Sequence, residues 1–102
     1  MADDDDLELM HALAFFYWRR KQTERAAALA YAAFRLGKQD TKTTLLLAVT
    51  LLDLGLPDRS LGILEKLQDA DDPLAARSAM PVRARALLRL GHVRQALSLI
   101  HI

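Results

Sequence analysis

"LDLGLPDRSL" (residues 52–61) and "LRLGHVRQAL" (residues 88–97) share one layout, 36 residues apart. In each, a leucine-rich run ends in Leu-Gly, four residues follow, and a small residue precedes a leucine. "YWRRKQTERAA" (residues 17–27) aligns with the same layout, with Lys21 at the position of Gly55 and Gly91. The chain therefore contains three copies of one unit, with a period of 34 to 36 residues.

Small residues occupy the same two positions in every copy, seven residues before the turn and five after it. Two antiparallel helices that cross closely need small side chains at the crossing, because larger ones push the helices apart. Each copy is therefore predicted to be a helix–turn–helix pair, and the fold class is all-α. The predicted crossing residues are Ala14, Ala48 and Ala84 before the turn, and Ala26, Ser60 and Ala96 after it.

This pattern resembles the tetratricopeptide repeat, which has small residues at these two places, bulky apolar residues around them and often Gly at the turn. The resemblance covers residues 7–100. It implies about six antiparallel helices, the last one incomplete, in a right-handed superhelical array with a concave groove. The chain departs from the pattern at Lys21, which replaces the turn Gly, and at Arg83, which replaces an apolar residue. We expect a flexible acidic segment at residues 1–6 and a single domain at 7–102, with repeats at about 7–39, 40–72 and 73–102.

Capping signals predict the ends of the first helices. Helix one is expected over residues 7–20, with the N-terminal aspartates near its positive end. Thr23 is expected to cap helix two, which Gly37 closes in the left-handed conformation that glycine adopts easily. Asp40 or Thr41 opens helix three.

Proline and glycine place the later boundaries. Helix three is predicted to end near Gly55, and Pro57 suits the first position of helix four. The acidic stretch 69–73 is expected to be the linker to the third copy. Ser78 is predicted to cap helix five, with Pro81 in its first turn, and the last helix is predicted to start near Val93.

The bulk composition fits one small soluble domain. The chain has 102 residues, of which 52% are hydrophobic, and a formal net charge of +1. It contains no cysteine, which excludes disulfides and thiolate chemistry. Residues 1–6 are acidic, unlike the start of a secretory signal, and the apolar run 43–52 is far shorter than the roughly 20 residues that span a bilayer. We therefore expect a cytoplasmic protein without a membrane span.

The predicted first helices carry more apolar surface than one packing face requires. In helix one, Ala14 belongs to the packing face, whereas Phe15 and Trp18 point elsewhere. In tetratricopeptide arrays the first helix of each pair lines the concave side, so the resemblance implies that these second stripes meet in one groove. Packing between neighbouring repeats is the alternative, but a contiguous exposed apolar patch favours a binding site. The predicted groove consists of His11, Phe15, Trp18, Leu45, Val49, Leu52, Arg85 and Leu88.

The sequence lacks the usual patterns of catalysis and metal binding. His11, His92 and His101 form no pair at helical spacing, and His11 is interpreted as an aromatic groove residue. The run from Asp3 to Asp6 lacks the Gly turn and spaced ligands of a calcium loop. The sequence also lacks a Gly-rich phosphate loop, a nucleophile elbow and an HExxH motif. We expect no enzymatic activity, no cofactor and no metal.

Two other binding functions are disfavoured. Arginines crowd the acid-free stretch 73–102 and could neutralise phosphates, but the near-zero net charge and the apolar groove weigh against nucleic acid. Some tetratricopeptide proteins bind the C-terminal carboxylate of heat-shock chaperones with Lys and Asn on the groove face. Here the corresponding positions carry His11, Phe15, Leu45 and Val49, so that clamp is excluded.

A cysteine-free chain of this size, with such repeats and an apolar groove, resembles the small cytoplasmic chaperones of bacterial type III secretion. The resemblance implies that the groove holds a small secreted subunit, such as the needle protein, as an amphipathic helix or extended apolar segment until export. A further chaperone subunit or a homodimer is expected to cover the remaining apolar surface. The alternative is a generic tetratricopeptide-like scaffold in another bacterial complex.

Overall fold

The computed structural model of the chain describes residues 3–68, 73–92 and 95. In this part of the chain the secondary structure is entirely helical, as the repeat predicts. No helix among these residues is long and apolar enough to cross a membrane. The five helices whose bounds lie within the described residues are α1 (Asp4–Arg19), α2 (Thr23–Arg35), α3 (Thr41–Asp53), α4 (Pro57–Gln68) and α5 (Pro73–Arg89).

The turn position of every copy adopts the left-handed conformation. Lys21, Gly55 and Gly91 have φ of 62°, 80° and 83°. In each case the amide of the next residue donates to a carbonyl five residues earlier, as Leu56 does to Leu51 at 2.9 Å. This bond closes the preceding helix in a Schellman motif and reverses the chain. The first turn therefore has the same geometry as the other two, although a lysine replaces glycine there.

The small residues at the repeat positions within the described part of the chain are buried. Ala14, Ala26, Ala48 and Ser60 are completely buried, and Ala84 is nearly so. The Ser60 hydroxyl donates a 2.8 Å hydrogen bond to the Ala48 carbonyl, so the two small residues of the second copy are in direct contact. The bond satisfies a polar group that would otherwise be costly to bury. Ala96 lies outside the described residues.

Consecutive helices pack against one another, and α3 also contacts both α1 and α5. Leu47 and Phe34 belong to a buried cluster that joins α1, α2 and α3. A second cluster, which includes Leu64 and Ala75, joins α3, α4 and α5. Because α3 contributes to both clusters, it is the central helix of the described fold.

The helix starts differ from the predictions at three points. Helix α1 begins at Asp4, and Asp3 caps it by accepting a 2.9 Å hydrogen bond from the Asp6 amide. Residues 4–6 are therefore helical rather than flexible, because aspartate suits both the cap and the positive end of the helix. Thr23 is the first residue of α2 and not its cap; Gln22 holds the cap position without a side-chain bond.

Helix α5 starts at Pro73, so the prediction of a cap at Ser78 is wrong. Pro73 takes the first helical position, where the missing N–H costs nothing, and the helix continues through Pro81. The predicted roles of Asp40, Gly37 and Pro57 are confirmed: Asp40 caps α3, Gly37 follows α2 with φ of 118°, and Pro57 begins α4. Residues 69–72 of the predicted linker, and the predicted start at Val93, lie outside the described residues.

Candidate protein-binding surface

A depression of about 310 Å³ lies between α1 and α3. Five of the eight predicted groove residues line it, together with Lys42 and Leu46. We call this site the α1–α3 depression. The predicted residues that it brings together are His11, Phe15, Trp18, Leu45 and Val49.

Aromatic rings form the α1 wall of the depression. Phe15 and Trp18 lie one helical turn apart, with their ring centroids separated by 5.9 Å. The side chain of Phe15 remains 45% exposed, whereas Trp18 is partly buried and packs against the core. An open aromatic ring beside a rigid, core-anchored one provides apolar surface that a partner can cover without disturbing the fold.

A polar contact fixes the orientation of Trp18. Its indole N–H donates a 3.1 Å hydrogen bond to Oδ2 of Asp53, at the end of α3. The other carboxylate oxygen of Asp53 lies 3.6 Å from the Arg85 guanidinium on α5. Trp18, Asp53 and Arg85 therefore connect three helices at one end of the depression. Arg85 belongs to this polar edge and does not line the depression itself.

His11 lies at the opposite end of the same wall. Its Nδ1 is 3.0 Å from the hydroxyl of Thr43, which is completely buried. Burial lowers the pKa of His11 from its ordinary value, and the positive charge of Lys42 lowers it further. Burial and the Lys42 charge both favour the neutral imidazole, which suits an apolar wall.

An ion-pair cluster adjoins this end of the depression through Lys42. Glu8 pairs with both Lys38 and Lys42, and Lys38 also pairs with Asp40 at 2.9 Å. Burial alone would raise the pKa of Asp40, but hydrogen bonds from Lys38 and from Thr43 outweigh it and lower the pKa to about 2. The cluster ties α1 to the start of α3, so the two walls of the depression are held in fixed register.

Besides Arg85, two other predicted groove residues lie outside the depression. Leu52 is completely buried, so its assignment to an open groove is wrong. Its helix contacts α1 and α5, and the Arg89 guanidinium reaches across to donate a 3.3 Å bond to the Leu52 carbonyl. Leu88 on α5 is 45% exposed but does not line the depression. Leu46 lines the depression and was missed, because the helical pattern alone did not separate it from the packing face.

The described residues contain no group of three or more His, Asp or Glu side chains that could hold a metal ion. Comparisons of the chain with protein-family models, curated proteins and solved structures gave no match. The function is therefore argued from the surface itself.

Proposed function

We propose that the chain is a protein-binding chaperone that holds a helical or apolar segment of a small secreted subunit in the α1–α3 depression. The observation that carries the proposal is the pairing of Phe15 and Trp18 on α1 with Leu45 and Val49 on α3 around one open cavity. Apolar and aromatic lining with few polar groups is typical of sites that bind apolar side chains.

The size of the depression limits what it can hold. Its volume is close to the lower end of the roughly 300–1,000 Å³ range of ligand sites. On each wall the first and last lining residues are seven positions apart: His11 and Trp18 on α1, and Lys42 and Val49 on α3. At about 1.5 Å per residue this is a trough about 10 Å long, or two helical turns. Such a trough suits apolar anchors at helical spacing on an amphipathic partner helix.

The aromatic surface supplies a driving force for binding. A Phe side chain buries roughly 150–250 Å², so covering the exposed 45% of Phe15 removes about 90 Å² from water. At roughly 25 cal/mol per Å² this single ring contributes about 2 kcal/mol. Trp18 and Leu45 already pack against the core, so this chain pays little ordering entropy at these two residues on capture.

The repeat supports the finer part of the proposal. Three turns with one geometry, and small residues buried at the predicted crossings, are features that tetratricopeptide-like helix pairs require. We infer from this resemblance that the partner is a component of bacterial type III secretion and that the complex forms in the bacterial cytoplasm before export. A generic scaffold in another bacterial complex is the alternative, because its depression would have the same shape.

Two adjacent phenylalanines provide a matched test. Phe15 lines the depression and Phe16 does not, yet both lie on α1 with almost equal exposure, 45% and 47%. Phe15→Asp should abolish partner capture, because the bound state would have to desolvate a carboxylate against an apolar ligand. Phe16→Asp should leave capture intact. Both variants should retain the helical circular dichroism of the parent chain.

Co-purification from the native cytoplasm measures capture and identifies the partner. Trp18, the sole tryptophan, gives a second readout, because its emission should shift to the blue when the purified partner covers the depression. A small exported protein that is lost only with Phe15→Asp supports the chaperone function. A non-exported partner lost in the same way favours the scaffold, and equal capture by both variants contradicts the site.

A further inference from the structure

Helix α1 carries a second apolar stripe on the side away from the depression. Leu9, Leu13 and Phe16 follow one another at helical spacing and are 59%, 38% and 47% exposed. Residues at such spacing share one face of a helix. We call these three residues the outer stripe of α1. They do not line the α1–α3 depression.

The internal repeat allows the outer stripe to be compared with the equivalent residues of α3 and α5. The residues 34 positions later, Thr43, Leu47 and Thr50 on α3, are completely buried. Leu47 packs there in the cluster that contains Phe34 of α2. On α5, the third copy, Ala79 and Ala86 are also buried, and Arg83 between them is partly buried. This face of a first helix is therefore a helix–helix contact within the fold, and on α1 it carries large apolar side chains that the described chain does not cover.

Opposite charges flank the outer stripe. Asp5 and Asp6 lie exposed in the first turn of α1, and neither side chain forms an ion pair with the described residues. At the other end, the Arg20 guanidinium lies over the ring of Phe16, 4.7 Å from its centroid. The stripe thus runs from a negative end, through three apolar side chains, to a positive end.

This arrangement is self-complementary. The midpoint between Leu9 and Phe16, and the midpoint between Asp6 and Arg20, both fall beside Leu13. A second α1 placed antiparallel about a two-fold axis at Leu13 therefore brings Leu9 against Phe16 and Asp6 against Arg20. Symmetric dimers use one such patch on both subunits. A parallel pair would instead place acidic end against acidic end.

We propose that the outer stripe of α1 is the interface of a symmetric homodimer, in which α1 packs antiparallel against α1 of a second copy of this chain. The contact uses the face of α1 that is opposite to the depression, so each subunit keeps its own partner-binding site. The dimer does not depend on the proposed chaperone function.

The mass of the chain in solution tests the dimer. Light scattering after gel filtration should give twice the chain mass of 11.4 kDa as the concentration rises from about 1 μM to about 1 mM. Leu13→Lys should give a monomer, because two lysines would meet on the symmetry axis. Leu36→Lys is the matched control: Leu36 is an exposed leucine on α2's C-cap, and its variant should remain dimeric. A monomeric parent chain, or a dimer that survives Leu13→Lys, overturns the proposal.

Charge exchange tests the antiparallel geometry. Arg20→Glu alone should weaken the dimer, because two acidic groups would meet at each end of the contact. The double variant Asp6→Arg/Arg20→Glu has the same net charge as the parent chain and should form the dimer again. A head-to-tail contact would pair the stripe with a different surface, and the exchange would not restore it. Failure of the double variant to recover dimerisation, while it keeps parental circular dichroism, overturns the symmetric interface.

A single cysteine locates the axis. The chain has no cysteine of its own, so Leu13→Cys introduces the only thiol. Mild oxidation should link two Leu13→Cys chains, since equivalent residues on the axis approach within disulfide range. Leu36→Cys should remain unlinked under the same conditions, and equal linking of both variants overturns the assignment. Phe15→Asp should stay dimeric, which separates this test from that of the depression.

Discussion

Leu52 and Leu88 occupy the same repeat position, 36 residues apart, but the structure predicts very different costs for truncating them. Leu52 is completely buried on α3, a helix that contacts both α1 and α5, whereas Leu88 is 45% exposed. Leu52→Ala should lower the free energy of unfolding by about 2–5 kcal/mol, the range for leucines whose removal leaves a cavity. Leu88→Ala removes a half-exposed side chain and leaves no enclosed cavity, so its expected cost is about 1 kcal/mol.

Urea titration followed by far-ultraviolet circular dichroism measures both free energies. A domain of this size has a free energy of unfolding of about 5–15 kcal/mol. Leu52→Ala should therefore lower the urea concentration at the unfolding midpoint strongly, while the dependence of the free energy on urea concentration stays constant. The titration is run on the Leu13→Lys background, which removes the concentration dependence that a dimer would add. If Leu52→Ala and Leu88→Ala lowered the free energy of unfolding equally, the two side chains would not differ in burial. That result would also contradict the position of α3 at the centre of the fold.

Two further predictions concern an ion pair and a turn. The folded pKa of Asp40 is about 2, below its ordinary 3.8, so its contribution to stability is present above about pH 4 and is lost as the pH falls towards 2. Because the Asp40 side chain is 42% exposed, solvent screening limits this contribution to about 1 kcal/mol. Asp40→Asn should flatten that part of the pH dependence in urea titrations at successive pH values, and an unchanged profile would contradict the assignment. Lys21 has φ of 62°, so Lys21→Gly should stabilise the fold by up to about 1 kcal/mol, whereas Gly55→Ala at φ of 80° should destabilise it by about as much. A Cβ at Gly55 would meet no atom within 4 Å, so thermal unfolding of the pair isolates the backbone effect, and the reverse order of melting temperatures would refute it.

The repeat positions are the part of the fold that the sequence predicts well, because each has one physical requirement. A left-handed turn favours glycine, and the copies with Gly55 and Gly91 reveal the role of Lys21 through alignment alone. A close helix crossing requires small residues. Ala48 and Ser60 are small enough for the Ser60 hydroxyl to reach the Ala48 carbonyl and donate a hydrogen bond to it. Such positions depend on local geometry, which repeats from copy to copy.

Helix starts are less predictable, because several residues nearby satisfy the same capping chemistry. Asp3 and residues further along α1 are all acceptable at a positive helix end, so sequence alone does not choose among them. Pro73 and Ser78 are both good starting signals, and the structure uses the earlier one although Pro81 then lies inside the helix. The earlier start of α5 adds Ala75 to the buried cluster that joins α3, α4 and α5, a packing gain that no local signal reports.

Side-chain exposure is the property that the repeat predicts least, because it depends on which helices are neighbours. Trp18, Leu52 and Leu88 are equivalent in sequence, yet only Leu52 is completely buried, since α3 has a first helix on each side. The same reasoning applies in reverse to α1, whose outer stripe matches three positions that are completely buried on α3. A repeat position is part of the core in a copy where a neighbouring helix covers it, and it is available for binding in a copy where no helix covers it. Both surfaces proposed for this chain, the α1–α3 depression and the outer stripe, therefore include α1, which among the described residues has a first helix on one side only, whereas α3 has one on each side.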